Sequence, residues 1–176
     1  VDGVPLIRRT VEAVLASQAR PAIVVTGHHA ETIRAVLNGL PVHFVHNPRF
    51  AEGLSTSLRM GLDALPQDAD GTLVCLGDMP AITADHLRAL IAGFDPAAGK
   101  AIGVPTHAGK RGNPTLWART LFDDMRQVAG DVGARHLIGA NEALVYEVEF
   151  SDTAVLMDLD TPAQWSEYQS DAKGRS

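Results

Sequence analysis

The chain has 176 residues, of which 45% are hydrophobic, and it carries a formal net charge of -6. This length suits one compact domain with a sizeable core, and the acidic balance argues against a general nucleic-acid surface. No apolar run approaches the roughly 18 residues that a membrane-spanning helix needs. Cys75 is the only cysteine, which excludes an internal disulfide and thiol metal clusters and indicates a cytoplasmic protein.

Helical and extended segments alternate along the chain. Apolar residues recur at helical spacing from Leu6 to Leu15, and the β-branched run 22–27 ends in glycine, which is typical of a buried strand. In chain order we predict a helix over 4–18, a strand over 22–27, a helix over 30–38, a strand over 42–46, a helix over 55–65 that Ser55 or Ser57 caps, a strand over 72–77, a helix over 83–94 with Thr83 as N-cap, a strand over 100–105, shorter helices within 115–128 and 133–140, a strand over 143–150, and a helix over 162–169 that Thr161 caps.

This alternation is typical of an α/β fold with a mostly parallel sheet. We predict one domain over residues 1–170, followed by a disordered tail at 171–176. Ligands of such sheets bind beyond the carboxyl ends of the strands. We therefore expect four polar loops to gather at one edge, namely 26–29, 47–57, 77–80 and 106–114.

A single acid ends the apolar run TLVCLG. Asp78 stands before Met79 and Pro80, and this loop contains no Lys or Arg. Mg²⁺ takes one or two protein carboxylates and fills its octahedron with water and phosphate oxygens, so a lone acid at this edge suits a metal–nucleotide site. A turn-forming Asp before the helix at Thr83 explains the position equally well.

Asp158 and Asp160 repeat this arrangement after the apolar run AVLM. Residues two apart in an extended segment share a face, so both carboxylates can point the same way. The alternative is a turn that leads into the helix capped by Thr161.

Two glycine-containing loops carry further polar groups. Asn47, Gly53, Ser55 and Ser57 precede or begin a helix, where glycine allows close backbone approach and the helix N-terminus offers N–H groups to a nucleotide; ordinary helix capping is the alternative. The loop THAGKRGNPTLW contains His107, Lys110, Arg111 and Asn113. This set suits an anionic ligand, since arginine binds phosphate in a bidentate fork, and a mobile solvated loop is the alternative.

Six motifs in one order resemble the nucleotidyltransferases of molybdenum cofactor biosynthesis. They are VVTGH, NPRFAEGLSTSL, VCLGDMP, GKRGNPTLW, AGDVGAR and MDLDTP, and they lie between Asp2 and Tyr168. The similarity is closer to the cytidylyltransferase branch than to the guanylyltransferase branch. The resemblance implies a Rossmann-like three-layer α/β nucleotidyltransferase fold with a mostly parallel sheet.

The activity implied by the resemblance is Mg²⁺-dependent transfer of CMP from CTP to the terminal phosphate of molybdopterin, with release of pyrophosphate. Asp78 and Asp160 are then the catalytic residues and metal ligands, with Asp158 nearby as a further metal ligand. The nucleotide side is assigned to Asn47, Gly53, Ser55, Ser57, Gly77 and Asp78, and the pterin side to His107, Arg111, Gly112, Asn113 and Pro114. The implied partners are CTP or GTP, molybdopterin and a molybdenum hydroxylase apoenzyme, without nucleic acid or membrane.

The sequence departs from this family at its start. Family members begin with a strand and a glycine-rich LAAG-type loop that holds the triphosphate, whereas the segment from Asp2 to Leu6 corresponds to the residues after that loop. We therefore expect the fold to lack its first strand, and residues 1–176 alone to be unstable or inactive with CTP.

Two other functions are compatible with the sequence. One is a guanylyltransferase, or a transferase with another phosphorylated acceptor. The other is a non-catalytic protein that holds the molybdenum cofactor for insertion into a hydroxylase, which the absent glycine-rich loop supports.

Overall fold

Two separate β-sheets run through the computed structural model, which describes residues 4–130 and 134–158. The strands are β1 (Ile23–Thr26), β2 (His43–His46), β3 (Gly71–Val74), β4 (Ile102–His107), β5 (Lys110–Arg111), β6 (Thr115–Ala118) and β7 (Val145–Glu149). The helices are α1 (Leu6–Ala16), α2 (Ala30–Val36), α3 (Leu54–Asp63), α4 (Ala84–Ala92), α5 (Phe122–Gln127) and α6 (Arg135–Ala140).

The smaller sheet consists of the parallel pair β1–β2, and the larger has the order β3-β6-β4-β5, with β7 also paired to β4. β6 is antiparallel to both β3 and β4, while β7 is parallel to β4. β3, β4 and β7 therefore point the same way, and β6 and the short β5 run against them. The α/β class is confirmed, with β6 as an antiparallel strand inside the larger sheet.

Helices cover both faces of the sheets, which gives three layers. α1 packs against α4, and α3 packs against α5. One core cluster contains Leu62 of α3, Trp117 of β6 and Met125 of α5, while another contains Leu87 of α4. A third cluster joins Val11 of α1 to β1 and α2.

Several predicted elements agree with the structure, and others differ. The strands β1 and β2 and the helix α4 lie within two residues of their predicted bounds, and Thr83 caps α4 in a capping box with His86. The strand predicted over 72–77 is present as β3, but it ends at Val74. The helix α3 begins at Leu54 with Gly53 as N-cap, so Ser55 and Ser57 lie inside the helix and do not cap it. Residues 115–118 form β6, where the sequence predicted only helix over 115–128.

The predicted helix over 162–169 and the tail at 171–176 lie outside the described residues. Within the described residues, no helix combines the length and the apolar character needed to cross a lipid bilayer.

Candidate active site

The polar loops after β1, β2, β3 and β5 meet at one edge of the fold. Phe50, in the loop after β2, lies against the loop after β1, with its ring centroid 5.8 Å from that of His28. Ser57, Gly77, Asn113 and Asp158 line one cavity of about 580 Å³. The gathering of these loops agrees with the expectation from strand polarity.

A second cavity of about 340 Å³ adjoins the first. Asn113 and Asp158 line both cavities, so they stand at the junction between them. Met79 and Arg111 also line the smaller cavity. The arrangement offers two neighbouring binding spaces, one towards α3 and one towards the loop after β5.

In the sequence, Asp78 stands between Gly77, which lines the larger cavity, and Met79, which lines the smaller one. Its side chain is half-buried, and its Oδ1 atom is shielded from solvent. Asp158 is exposed. Asp160 lies outside the described residues.

The residues present suit a hard divalent cation. Carboxylate oxygens are the protein ligands that Mg²⁺ prefers, and it commonly takes only one or two of them. Asp158 supplies such oxygens at the junction of the cavities, and Asp78 stands between Gly77 and Met79, which line one cavity each. Among the described residues, no group of three or more His, Cys, Asp or Glu side chains forms a metal cluster, so a cation here would take its remaining ligands from water and substrate oxygens.

Asn47 is buried and serves the local structure. Its Nδ2 atom donates to Thr56 Oγ1 at 2.8 Å and to Ser57 Oγ at 3.0 Å, and its Oδ1 accepts from the N–H of Arg49 at 2.9 Å. These bonds fasten the end of β2 to the first turn of α3. They direct the Asn47 amide to the protein, so its predicted contact with a nucleotide stays a prediction, whereas its role in positioning Ser57 is visible.

Ser55 and Ser57 differ in their surroundings. Ser57 lines the larger cavity. Ser55 is 1% exposed, and within the described part of the chain its hydroxyl has no hydrogen-bond partner. A buried hydroxyl without a partner costs about 1–3 kcal/mol, so a ligand or water atom at the start of α3 would offset this cost. Gly53 precedes the helix with φ 107°, a conformation that glycine adopts without strain.

His107, at the end of β4, faces the segment after β7. Its Nδ1 lies 2.8 Å from the carbonyl oxygen of Phe150. Because a carbonyl only accepts, Nδ1 carries the proton and donates this bond. His107 lines neither cavity, and its predicted contact with the pterin stays a prediction.

Arg111 already has two carboxylate partners. Its guanidinium pairs with both oxygens of Glu142, and its Nε donates to Glu147 at 2.7 Å. The hydrogen bonds to Glu142 and then to Glu147 raise the pKa of Arg111 above its usual value. Arg111 therefore ties β5 to the chain around β7, and binding a substrate phosphate would require it to exchange at least one of these partners.

Gly112 and Asn113 pass between β4 and the short helical turn at Ala154–Leu156. The N–H of Gly112 donates to Pro105 O at 2.8 Å, and the N–H of Asn113 donates to Val155 O at 2.8 Å. A Cβ atom added at Gly112 would lie 2.0 Å from Val155 O, so only glycine fits. The peptide bond between Asn113 and Pro114 is cis. This segment carries Asn113 to the junction of the two cavities.

The sequence missed some participants in the site. Met79 lines the smaller cavity and was not predicted from the sequence. Lys110, which belongs to the set that suits an anionic ligand, also lines this cavity. Glu142 and Glu147 hold Arg111, but they lie 31 and 36 residues away along the chain, and no local pattern indicates the pairing. Among the predicted residues that the structure describes, six line neither cavity, namely Asn47, Gly53, Ser55, Asp78, His107 and Pro114.

Residues 1–145 match the model of the MobA-like NTP transferase domain. The chain belongs to this family. The resemblance found in the motifs is thereby confirmed, and so is nucleotidyltransferase family membership.

Two curated relatives and one solved structure illustrate the family. The chain is 33% identical over 98 residues to the purine catabolism protein PucB of Bacillus subtilis (strain 168), and the matched residues make up 55% of this chain and 46% of that protein. It is 26% identical over 141 residues to the molybdenum cofactor cytidylyltransferase of Escherichia coli (strain K12), and here the matched residues make up 80% of this chain and 69% of that protein. A nucleotidyl transferase from Methanothermobacter thermautotroptrophicus superposes with a TM-score of 0.85 at 25% identity, over 100% of this chain and 84% of that one. The chain thus spans about half the length of the first relative, and the three named proteins share its fold or family.

Ser55 and Thr56 give a test of the unpartnered hydroxyl. Ser55→Ala should leave the free energy of unfolding unchanged or raise it by up to about 1 kcal/mol, because no protein hydrogen bond is lost. Thr56→Val should lower it by about 1–2 kcal/mol, because Thr56 Oγ1 accepts from Asn47 and lies 2.9 Å from the carbonyl oxygen of Gly53. Urea unfolding of both variants measures the difference. Equal destabilisation of the two variants would contradict the finding that the Ser55 hydroxyl makes no hydrogen bond within the described residues.

Gly112 and Gly139 give a matched pair of glycine substitutions. Gly112→Ala should destabilise the protein by at least about 2 kcal/mol, because the new methyl group overlaps a backbone oxygen that cannot move away cheaply. Gly139→Ala, in α6, meets no atom within 4 Å and should stabilise the protein by about 0.5–1 kcal/mol. Thermal unfolding of the two variants checks both signs, and a Gly112→Ala variant as stable as the parent would show that the segment does not pass where the structure has it.

Proposed function

We propose that this protein is a molybdenum cofactor cytidylyltransferase, which transfers CMP from CTP to the terminal phosphate of molybdopterin and releases pyrophosphate. The observation that carries the proposal is the pair of adjoining cavities, with Asn113 and Asp158 at their junction and Asp78 between residues that line each of them. Two spaces and a shared acidic boundary suit the joining of two phosphorylated molecules. A cytoplasmic location is part of the same proposal.

The nucleotide would bind at the end of the larger cavity, beside Ser57 and Gly77. The buried hydroxyl of Ser55 and the glycine N-cap of α3 support a polar ligand there, since the N-terminus of a helix attracts anions. The acceptor would bind in the smaller cavity, where Lys110 and Arg111 supply positive charge beside Gly112 and Asn113. The acceptor phosphate then meets the nucleotide at Asn113.

The reaction needs positioning more than covalent participation by the protein. An oxygen of the acceptor phosphate forms a bond to the α-phosphorus of CTP, and the bond from that phosphorus to the bridging oxygen breaks, so pyrophosphate leaves with the electron pair. Both reactants are anions, so the barrier falls when charge is neutralised and the two phosphates are aligned. Lys110 and Arg111 orient the acceptor and offset part of its charge.

Asp78 and Asp158 would hold Mg²⁺, with Asp160 as the further ligand predicted from the sequence. When bound, the cation neutralises phosphate charge and polarises the phosphoryl oxygens. The protein's own contribution is to fix Asp78 in the loop after β3, where it is partly buried between Gly77 and Met79, which line one cavity each.

A guanylyltransferase, or a transferase with another phosphorylated acceptor, uses the same edge of the sheet. These functions differ from the proposal in the base of the nucleotide or in the acceptor. Pyrophosphate release measured with each of the four ribonucleoside triphosphates, with and without molybdopterin, separates them. Release with CTP and molybdopterin well above all other combinations supports the proposal.

Asp78→Ala should lower molybdopterin-dependent pyrophosphate release from CTP by at least about a hundredfold, because it removes a carboxylate that the transition state needs. The assay uses the polypeptide that carries this chain as the cell makes it. Asp68→Ala is the matched control, because Asp68 is an exposed acid in the loop before β3 and outside both cavities. Undiminished activity in Asp78→Ala would refute the assigned role.

Arg111 and Glu142 provide a test of the acceptor site. If Arg111 exchanges a carboxylate for the acceptor phosphate, Arg111→Ala should raise the acceptor KM about tenfold, and Glu142→Gln should lower it because the exchange becomes easier. Arg126→Ala is the control, since Arg126 has similar exposure, 37% against 35%, and two carboxylate partners of its own. A parental KM in Arg111→Ala would show that the Arg111 pairing is structural only.

A further inference from the structure

A two-residue turn joins β4 to β5. His107 pairs with Lys110 across the ladder, and the two residues between them make the turn. We call residues 106–111 the basic hairpin. Lys110 and Arg111, on its returning strand, both line the smaller cavity. The course of the basic hairpin therefore decides where these two cations stand relative to that cavity.

The turn has a backbone conformation that its first residue does not favour. Ala108 has φ 49° and Gly109 has φ 74°. Positive φ at both central residues is typical of a type I′ turn, which prefers Asn-Gly, Asp-Gly or Gly-Gly. Glycine adopts such angles freely, whereas the Cβ atom of alanine crowds the following carbonyl oxygen. An interaction from outside the turn has to offset this crowding at Ala108.

Glu149 of β7 supplies that interaction. Its Oε1 accepts the N–H of Ala108 at 2.8 Å, and its Oε2 accepts the hydroxyl of Thr106. One carboxylate oxygen thus holds the turn of the basic hairpin, and the other holds its base. The hydrogen bonds from Thr106 and then from Ala108 keep the pKa of Glu149 below its usual value. The carboxylate is therefore ionised at neutral pH, and both bonds are charge-assisted.

The sheet register brings Glu149 to the basic hairpin. β7 is parallel to β4, and Glu149 is the ladder partner of Thr106, so their side chains project on the same face. The next residue, Phe150, donates its N–H to Thr106 O at 2.8 Å and accepts from His107 Nδ1 at 2.8 Å. The end of β7 thus fastens the base of the hairpin, and Glu149 alone reaches on to the turn.

Glu149 has a different task from the two acids that hold Arg111. Glu142 and Glu147 bind the guanidinium, so a substrate phosphate would compete with them for Arg111. Glu149 accepts from a backbone N–H and from a neutral hydroxyl, which a phosphate does not have to displace. Its two bonds can therefore stay in place while an anion binds at the hairpin.

We propose that Glu149 is a positioning residue: by holding the turn at Ala108, it places Lys110 and Arg111 at the smaller cavity, where they bind the phosphate of the acceptor. The inference rests on the proposed function, which assigns this cavity to a phosphorylated acceptor. Glu149 lines neither cavity, so it acts through the basic hairpin. Cations that are already ordered bind phosphate more tightly, because less freedom is lost on binding.

This role predicts an effect whose sign is opposite to that of charge alone. An acid beside an anion site repels the anion, so on Coulombic grounds the removal of Glu149 should strengthen phosphate binding. If Glu149 orders the basic hairpin, its removal should weaken phosphate binding. Glu149→Gln removes the charge and leaves one acceptor oxygen for two donors, whereas Glu149→Ala removes both acceptors.

The direct test titrates inorganic phosphate into the polypeptide that carries this chain as the cell makes it and follows the amide resonances of Lys110 and Gly112 by NMR. We expect the Kd to rise about twofold in Glu149→Gln and about fivefold in Glu149→Ala, because ordering the hairpin then opposes binding. Glu12→Ala is the matched control and should keep the parental Kd. Glu12 is an exposed glutamate that accepts from Arg8 at 2.9 Å and lines neither cavity.

A second substitution tests whether the turn carries the effect. The double variant Glu149→Ala/Ala108→Asn has an Asn-Gly turn, which favours type I′ without outside help. Its Kd for phosphate should return to within about twofold of the parental value, because the hairpin is ordered again before binding. Thermal unfolding of each variant is recorded alongside, and all titrations are made well below the lowest midpoint, so that only folded protein is compared.

Steady-state kinetics with CTP and molybdopterin add a readout on the reaction. Glu149→Ala should raise the acceptor KM about fivefold and leave kcat and the KM for CTP at their parental values, because only acceptor binding is weakened. If the parental protein shows no transfer from CTP to molybdopterin, the proposed function fails, and the phosphate titration still decides the role of Glu149.

Four results of the titration would overturn the proposal. They are an unchanged or lower Kd in the Glu149 variants, an equal rise in Glu12→Ala, no rescue by Ala108→Asn, and resonances of Lys110 and Gly112 that do not respond to phosphate in the parental protein. A graded rise from Glu149→Gln to Glu149→Ala that Ala108→Asn reverses would support it.

Discussion

Two backbone hydrogen bonds fix the geometry on which the candidate site depends. The N–H groups of Gly112 and Asn113 donate to Pro105 and Val155, and these bonds thread the loop after β5 between β4 and the turn at Ala154–Leu156. Because Gly112 has no room for a side chain, the loop has a single path. That path brings Asn113 to the boundary between the two cavities and places Asp158, which follows the turn, at the same boundary.

Side-chain hydrogen bonds and ion pairs hold the remaining parts of the site in place. Asn47 uses its whole amide to join the end of β2 to α3, and Arg111 uses its guanidinium to join β5 to Glu142 and Glu147. Both residues were predicted to contact substrates, and the structure shows a positioning role for each. Asn47 holds a loop in place without lining a cavity, whereas Arg111 both holds its loop and lines the smaller cavity. Sequence motifs do not distinguish between these roles.

Local patterns in the sequence predicted much of the fold. Strands β1 and β3 follow from short apolar runs that end in glycine or an acid, and Thr83 is correctly identified as a cap because the capping pattern is local. β6 was missed because all of its residues are buried, so TLWA shows no alternation and resembles the start of a helix. The pairing of Arg111 with Glu142 joins parts of the chain that are distant in sequence, and no local sequence pattern predicts it. The α3 cap was misplaced because a glycine N-cap leaves no side-chain signal.

We propose that one sheet edge, with Asp158 at the junction of two cavities and Asp78 between residues that line each of them, binds a metal–nucleotide complex, and this proposal is central to the account. Paramagnetic relaxation by Mn²⁺ with CTP, measured on the backbone amides of the polypeptide that carries this chain, tests it most directly. The account predicts strong broadening at Gly77, Asn113 and Asp158 and none at Gly139 on α6. Broadening that spares Gly77 and Asn113, or that is equally strong at Gly139, would contradict it.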